Sequence, residues 1–253
     1  ITDELDQLNA SSPFEVGSLQ LVTVPVGADT SNTNAAGGAT GTGLVDIRGL
    51  SLLNQNDALD IVFDATLGPV LPNASIVANQ AQATTAGVLF ATSDDPILNG
   101  PADPIVLGDE DPTTVLITSA PAFQVDKTSN YVTGDPTVLL AGETLRYTII
   151  VKNVGNDNAS DASLRDAIPV NTAYTPGSTT LNGIPVPDAA GGLFPFASGM
   201  PISALEDPTA GAMRADLSPL ANNSATLIFD VLVDPGAIDG TVISNQAFVS
   251  AVL

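Results

Sequence analysis

The chain has 253 residues, of which 28 are Asp or Glu and only 6 are Lys or Arg, so its net charge at pH 7 is −22. A surface with this charge repels nucleic acids and anionic membranes, and we expect neither as a partner. His and Cys are absent, which removes the commonest general bases, nucleophiles and transition-metal ligands and argues against an enzyme. No apolar run approaches the length of a membrane span. Together with the lack of Cys, this favours an extracellular or cell-surface location in a prokaryote.

Two copies of one sequence unit follow each other along the chain. Three pairs of segments mark the repeat: "ITDEL" (1–5) matches "LRDAI" (164–168), "IVFD" (61–64) matches "LIFD" (227–230), and "IVANQAQA" (76–83) matches "VISNQAFV" (242–249). The pairs keep the same order, and their offsets differ by only a few residues. The repeat predicts two domains, residues 1–90 and 121–253, joined by a connector over 91–120.

Alternating apolar and polar residues predict β-strands in both copies. The side chains predicted to point inward are Leu59, Ile61, Phe63 and Ala65 in the first copy, and Leu145, Tyr147, Ile149, Val151, Leu227, Phe229 and Val231 in the second. The segment "MPISALED" (200–207) is predicted to be a short helix. Short strands separated by Gly, Pro and Asn turns predict an all-β protein of two tandem antiparallel β-sandwiches.

The first copy lacks its N-terminal strands. Residues 123–163, which contain "FQVDKTSN" and "ETLRYTIIVKN", have no counterpart before Ile1. We therefore expect residues 1–90 not to close a sandwich from their own strands, and to expose an edge that templates another chain. A neighbouring copy could supply the strands, which predicts a head-to-tail homopolymer formed by donor-strand complementation. The alternative is that the missing residues precede Ile1 in a longer chain.

Residues 139–183 carry several motifs of one known module. The motifs are Gly142-Glu143, Tyr147-Thr148-Ile149, Asn153-Val154-Gly155, Asp166 to Pro169, and Tyr174 to Ser178. Together they resemble the DUF11 repeat, an immunoglobulin-like module that occurs in tandem in prokaryotic surface proteins. The resemblance covers 123–253 well and 1–90 more loosely. It implies immunoglobulin-like sandwiches at a cell surface and no common enzymatic activity.

The predicted connector is strongly acidic. Six carboxylates fall within it without a positive charge between them: Asp94, Asp95, Asp103, Asp109, Glu110 and Asp111. Ca²⁺ prefers 6–8 oxygen ligands, so these residues are a candidate calcium site. The alternative is a solvated linker that its own charge keeps extended.

Lys127 and Asn245 form a second candidate site, because the first and last strands of an immunoglobulin-like sandwich can be neighbours. A buried lysine amine could attack the asparagine amide and form an isopeptide bond, with Asp166 or Glu143 shuttling protons. The alternative is that Asn245 only binds backbone across a strand edge.

Phe194, Phe196 and Met200 are a candidate self-association contact, and the alternative is that they cover the core of the second domain. The leading functional prediction is a structural subunit of an extracellular filament, sheath or surface array. The alternative is a cell-surface adhesin that presents a loop to surface glycans or other surface proteins.

Overall fold

The computed structural model describes residues 1–51, 54, 57–100, 108–135, 137–207, 209–218 and 223–251. The chain forms two compact units, unit 1 (Ile1–Thr118) and unit 2 (Ser119–Leu253). Strands in both units pair antiparallel, which confirms the predicted all-β fold. Among the described residues, no helix has the length and apolar character needed to cross a membrane.

Unit 1 contains eight short strands in its described part. They are β1 (Thr2–Glu4), β2 (Gln20–Thr23), β3 (Leu44–Asp46), β4 (Val62–Asp64), β5 (Ile76–Asn79), β6 (Gln82–Thr85), β7 (Val88–Thr92) and β8 (Thr113–Leu116). One sheet has the order β3-β1-β6-β7, while β2 pairs with β4 and β5 pairs with β8 as two separate ribbons. Strand β8 lies within the segment predicted as the connector, so part of that segment belongs to unit 1.

The core of unit 1 is small. In the described residues only four apolar side chains form its fully buried cluster, Leu5, Leu19, Val45 and Ile47. The predicted inward residues Ile61, Phe63 and Ala65 pack against this cluster but stay partly exposed, and Leu59 is exposed, contrary to the prediction. This cluster is small for a unit that spans Ile1–Thr118.

Unit 2 contains nine strands and one 3₁₀ turn in its described part. They are β9 (Phe123–Tyr131), β10 (Thr144–Asn153), β11 (Ser163–Asp166), β12 (Thr172–Tyr174), β13 (Thr180–Leu181), β14 (Ile184–Pro185), the 3₁₀ turn Pro195–Ser198, β15 (Met200–Pro201), β16 (Ala225–Val233) and β17 (Ala247–Ser250). One sheet has the order β14-β13-β16-β10-β9, with β12 also on β16. The other has the order β15-β11-β17, and the two sheets share one core.

The core of unit 2 is much larger than that of unit 1. Its cluster contains sixteen buried side chains among the described residues, and all seven predicted inward residues of this copy belong to it. Apolar and polar residues alternate along β10 and β16 because each strand presents one face to the opposite sheet.

The predicted helix over 200–207 is wrong. Met200 and Pro201 form a strand instead, and Ile202 and Ala204 are buried while Ser203 is less so. Buried residues two positions apart have the period of extended chain. The nearby 3₁₀ turn buries Pro195 and Phe196 instead.

The two units share one strand pairing at positions that align in sequence. In unit 1, Thr2 on β1 pairs with Gln82 on β6. In unit 2, the residues aligned with them by sequence, Arg165 on β11 and Phe248 on β17, also pair.

Candidate functional site

Lys127 of unit 2 points inward from the middle of β9. Residues of this strand alternate between partly buried and exposed up to Lys127, which shares the inner face with Phe123 and Val125. Its ammonium nitrogen lies 4.9 Å from the ring centre of Tyr147 and 5.8 Å from that of Phe229. Its side chain is only 13% exposed. A lysine with so little water around it is uncommon in a strand and needs a partner.

Asp166, the last residue of β11, is that partner. Its side chain is completely buried, and its Oδ2 accepts a hydrogen bond from Lys127 Nζ. Burial lowers the pKa of Lys127, although Asp166 opposes this shift. Burial also raises the pKa of Asp166, although Lys127 opposes that shift. Both changes favour a neutral amine beside a neutral carboxylic acid.

Asn245 reaches the same carboxyl group from the segment just before β17. Its side chain approaches Asp166 closely enough to help lower the pKa of that carboxyl. The approach stops short of a well-formed hydrogen bond, because Asn245 Nδ2 and Asp166 Oδ1 are both buried and have no partner among the described residues. Asp166 therefore brings Lys127 and Asn245 together.

An open groove of about 860 Å³ leads to this cluster. Lys127 and Asn245 both line it, and residues 237–244 form much of one side. Small molecules can therefore enter or leave beside the two side chains.

Glu143, the other candidate acid, is not in the cluster. Lys127 pairs with Ile149 in the middle of β10, whereas Glu143 precedes that strand. Its Oε2 accepts a hydrogen bond from the backbone N–H of Leu140. Glu143 shapes a turn, and the prediction that it could serve as the acid is wrong.

Unit 1 repeats the acid and the amide of this cluster without the lysine. Asp3 and Asn79 align with Asp166 and Asn245, and Asn79 Nδ2 donates a hydrogen bond of 3.0 Å to Asp3 Oδ2. Burial raises the pKa of Asp3 despite this bond, and its Oδ1 has no partner among the described residues. The only lysines of the chain are Lys127 and Lys152, both outside unit 1.

A second acid of unit 1 also lacks the partner that its counterpart has. In unit 2, Arg146 on β10 holds Asp230 on β16 with two hydrogen bonds, of 2.7 and 2.9 Å. Asp64 on β4 aligns with Asp230, but β4 pairs only with β2 in the described residues. Asp64 is exposed, and no strand with an arginine lies beside it there.

The candidate calcium residues do not form a cluster in the described part of the chain, which holds no group of three or more acidic side chains placed to bind a metal. Asp94 Oδ1 accepts from the Asp111 N–H, and Asp95 Oδ1 accepts from the Ile97 N–H. Asp109 and Glu110 lie near Asp111 in sequence, while Asp103 falls outside the described residues. Calcium binding by these six residues stays a prediction.

The aromatic candidates for self-association belong to the core. Phe194 and Phe196 are buried, and Met200 packs against the same cluster. The Phe194 and Phe229 ring centres lie 4.4 Å apart. These side chains are not available to another subunit, so the alternative reading, a cover over the core, fits them.

Sequence reasoning found the three groups of the Lys127 cluster but missed two features of the sites. It did not identify Tyr147 and Phe229 as the wall against Lys127, although both were predicted to point inward. It also missed the Arg146–Asp230 pair. The opposite charges of these residues on facing strands, and the recurrence of the acid as Asp64 in the first copy, would have indicated it.

Comparison with known protein families, characterised proteins and solved structures gave no match. The resemblance to the DUF11 repeat therefore continues to depend on the sequence motifs alone.

Proposed function

We propose that this chain is a structural subunit of an extracellular filament, sheath or surface array, without enzymatic activity. In this proposal, strands of a second copy complete unit 1, and repetition of that contact builds a head-to-tail polymer. The observation that carries the proposal is the edge of β4 opposite β2, along which no other described strand pairs. In unit 2 the equivalent strand, β16, lies between β10 on one side and β12 and β13 on the other.

The requirements on the donor follow from unit 2. A strand equivalent to β10 would lie against β4, and a strand equivalent to β9 would lie beyond it. Their apolar side chains would cover Phe63, which is partly exposed, whereas its counterpart Phe229 is fully buried. At about 25 cal/mol per Å² of apolar surface removed from water, two such strands would stabilise unit 1 substantially.

Two acids of unit 1 have counterparts in unit 2 that face a cation: Asp3 aligns with Asp166, which meets Lys127, and Asp64 aligns with Asp230, which meets Arg146. Basic side chains on a donor strand at either position would add electrostatic attraction and favour one register.

A contact of this kind joins different surfaces of the two copies. Such heterologous contacts do not close unless the rotation brings the chain back on itself, and they propagate into fibres. The repulsion between subunits of net charge −22 predicts that assembly needs salt or divalent cations to screen it.

The proposal is tested by imaging the protein in negative stain and measuring its mass by light scattering over a range of salt. Asp64→Lys should block or strongly shorten fibres, because it replaces an acid with a long cationic side chain on the strand edge where the donor must pair. Asp60→Lys is the matched control, since Asp60 is also exposed and the charge change is the same. A protein that stays monomeric under all conditions, or two variants that form equal fibres, would overturn the proposal.

A further inference from the structure

We infer that Lys127 and Asn245 are joined by an isopeptide bond in the mature protein, with Asp166 as the catalytic acid and base. The bond would fasten β9 to the segment that leads into β17. It involves residues of unit 2 alone and does not depend on the assembly of subunits.

The three reacting groups meet at one buried carboxyl. Lys127 Nζ occupies one oxygen of Asp166, and the Asn245 side chain approaches the same group with its Nδ2 buried and unpaired in the described structure. A buried amide donor without a hydrogen-bond partner is unfavourable, so a purely structural role leaves this arrangement unexplained. Conversion of that amide nitrogen into ammonia removes the unsatisfied group.

Unit 1 shows what the same acid and amide do without a lysine. There Asn79 Nδ2 donates a regular 3.0 Å hydrogen bond to Asp3. In unit 2 the lysine donates to that carboxyl group instead, and the asparagine Nδ2 has no partner in the described structure. The difference between the units is the presence of the nucleophile.

The reaction balances without any further reactant. Lys127 passes a proton to Asp166 and becomes a neutral amine, whose lone pair attacks the Cγ carbonyl carbon of Asn245. Asp166 then gives that proton to Nδ2 as the Cγ–Nδ2 bond breaks, and its carboxylate takes the second proton from the attacking Nζ, so that the carboxyl group ends protonated. The Nζ–Cγ amide forms, one ammonia leaves, and nothing is oxidised or reduced.

The surroundings favour each step. The rings of Tyr147 and Phe229 exclude water from the amine, which keeps it nucleophilic and favours proton transfer to the acid. The open groove lined by Lys127 and Asn245 gives the ammonia a way out.

The experiment is an intact-mass measurement of the denatured full chain, followed by tandem mass spectrometry. The native chain should be lighter than its sequence by one ammonia, and a peptide containing Lys127 should be linked to one containing Asn245. A lysine-specific protease should cut after Lys152 and not after Lys127.

Lys127→Arg is the decisive variant. Its guanidinium can keep the ion pair with Asp166 but is not a nucleophile, so this variant should have its full sequence mass. Asp166→Asn should also keep its full mass, whereas the control Lys152→Arg should lose one ammonia like the native chain. Asparagine can also lose ammonia by cyclising on its own backbone, and loss of ammonia from Lys127→Arg would show this and overturn the inference. A native chain with its full mass would overturn it as well.

Discussion

Arg146 and Asp230 form the one bidentate ion pair that joins β10 to β16 in the described part of unit 2. The two residues are also direct register partners in the strand pairing. Unit 1 holds the aligned acid, Asp64, and no described strand places an arginine beside it. The comparison between Asp230 and Asp64 therefore measures what the contact with Arg146 contributes.

Asp230→Asn should lower the free energy of unfolding of unit 2 by about 1 kcal/mol, because it replaces charged hydrogen bonds with weaker ones. The effect is modest since the Arg146 side chain is 46% exposed and water screens the pair. Asp64→Asn should leave the stability of the single subunit unchanged. Urea unfolding of both variants tests this, and a loss in Asp64→Asn equal to that in Asp230→Asn would show that Asp64 already has a partner in the subunit.

Asp3→Asn should stabilise unit 1 at neutral pH. Burial raises the pKa of Asp3 above its ordinary value of 3.8, so the folded unit keeps this proton to higher pH than the unfolded chain does. Stability from this group is therefore present at low pH and is lost as the pH rises through the raised pKa. The Asp3→Asn side chain is uncharged at low and at neutral pH, and its Oδ1 can still accept the hydrogen bond from Asn79 Nδ2.

Amide hydrogen exchange of β1 and β6 at about pH 7 and about pH 4 measures this difference. The gain over the native chain should appear at the higher pH and vanish at the lower one. Asp60→Asn, at an exposed residue, is the control, and it should not change the exchange of β1 and β6 at either pH. Equal gains at both values would mean that the charge of Asp3 is not the cause.

Phe229→Ala should destabilise unit 2 by about 3–5 kcal/mol, the usual cost of truncating a fully buried aromatic side chain. Phe229 contacts the rings of Tyr147 and Phe194 and belongs to the core cluster. Phe248→Ala is the control in the same unit, because Phe248 is 51% exposed, and it should cost less than about 1 kcal/mol. Thermal unfolding of the two variants tests this prediction. Similar losses of stability in both would mean that Phe229 is not part of the core.

Gly155→Ala should also destabilise unit 2, for a different reason. A Cβ at Gly155 would lie 2.4 Å from both the Ala120 oxygen and the Ala122 nitrogen, closer than real atoms approach. The backbone would have to move, and with it the hydrogen bond from the Val154 N–H to the Ala122 oxygen. Gly236→Ala is the control, since a Cβ there would meet only the flexible Asp234 side chain at 3.4 Å. Circular dichroism melting should show a clear loss for Gly155→Ala alone.

The large antiparallel sheet of unit 2 was predictable from sequence because its strands are long. β10 and β16 alternate over nine or ten residues, and a slip of one position would turn their whole apolar set to the wrong side. Short strands give no such signal. β8 has four exposed residues after an acidic segment, and only its pairing with Ile76–Asn79 of β5 identifies it as a strand.

Part of the Lys127 cluster was also predictable, for a topological reason. An inward lysine in a first strand and an asparagine in a last strand are brought close whenever those strands are neighbours. The choice of acid was not predictable, since Glu143 and Asp166 are both near β10 in sequence. Only the position of Asp166 at the end of β11, beneath Lys127, separates them.

The small core of unit 1 has a consequence for the free energy that would drive the proposed polymerisation. In its described part unit 1 has five buried apolar side chains, and four of them form its core cluster. If the chain polymerises as proposed, a donor strand that covers partly exposed side chains such as Phe63 would add burial that unit 1 lacks by itself. Part of the folding free energy of unit 1 would then be released only on contact with a neighbour, and this release would drive growth without a nucleoside triphosphate.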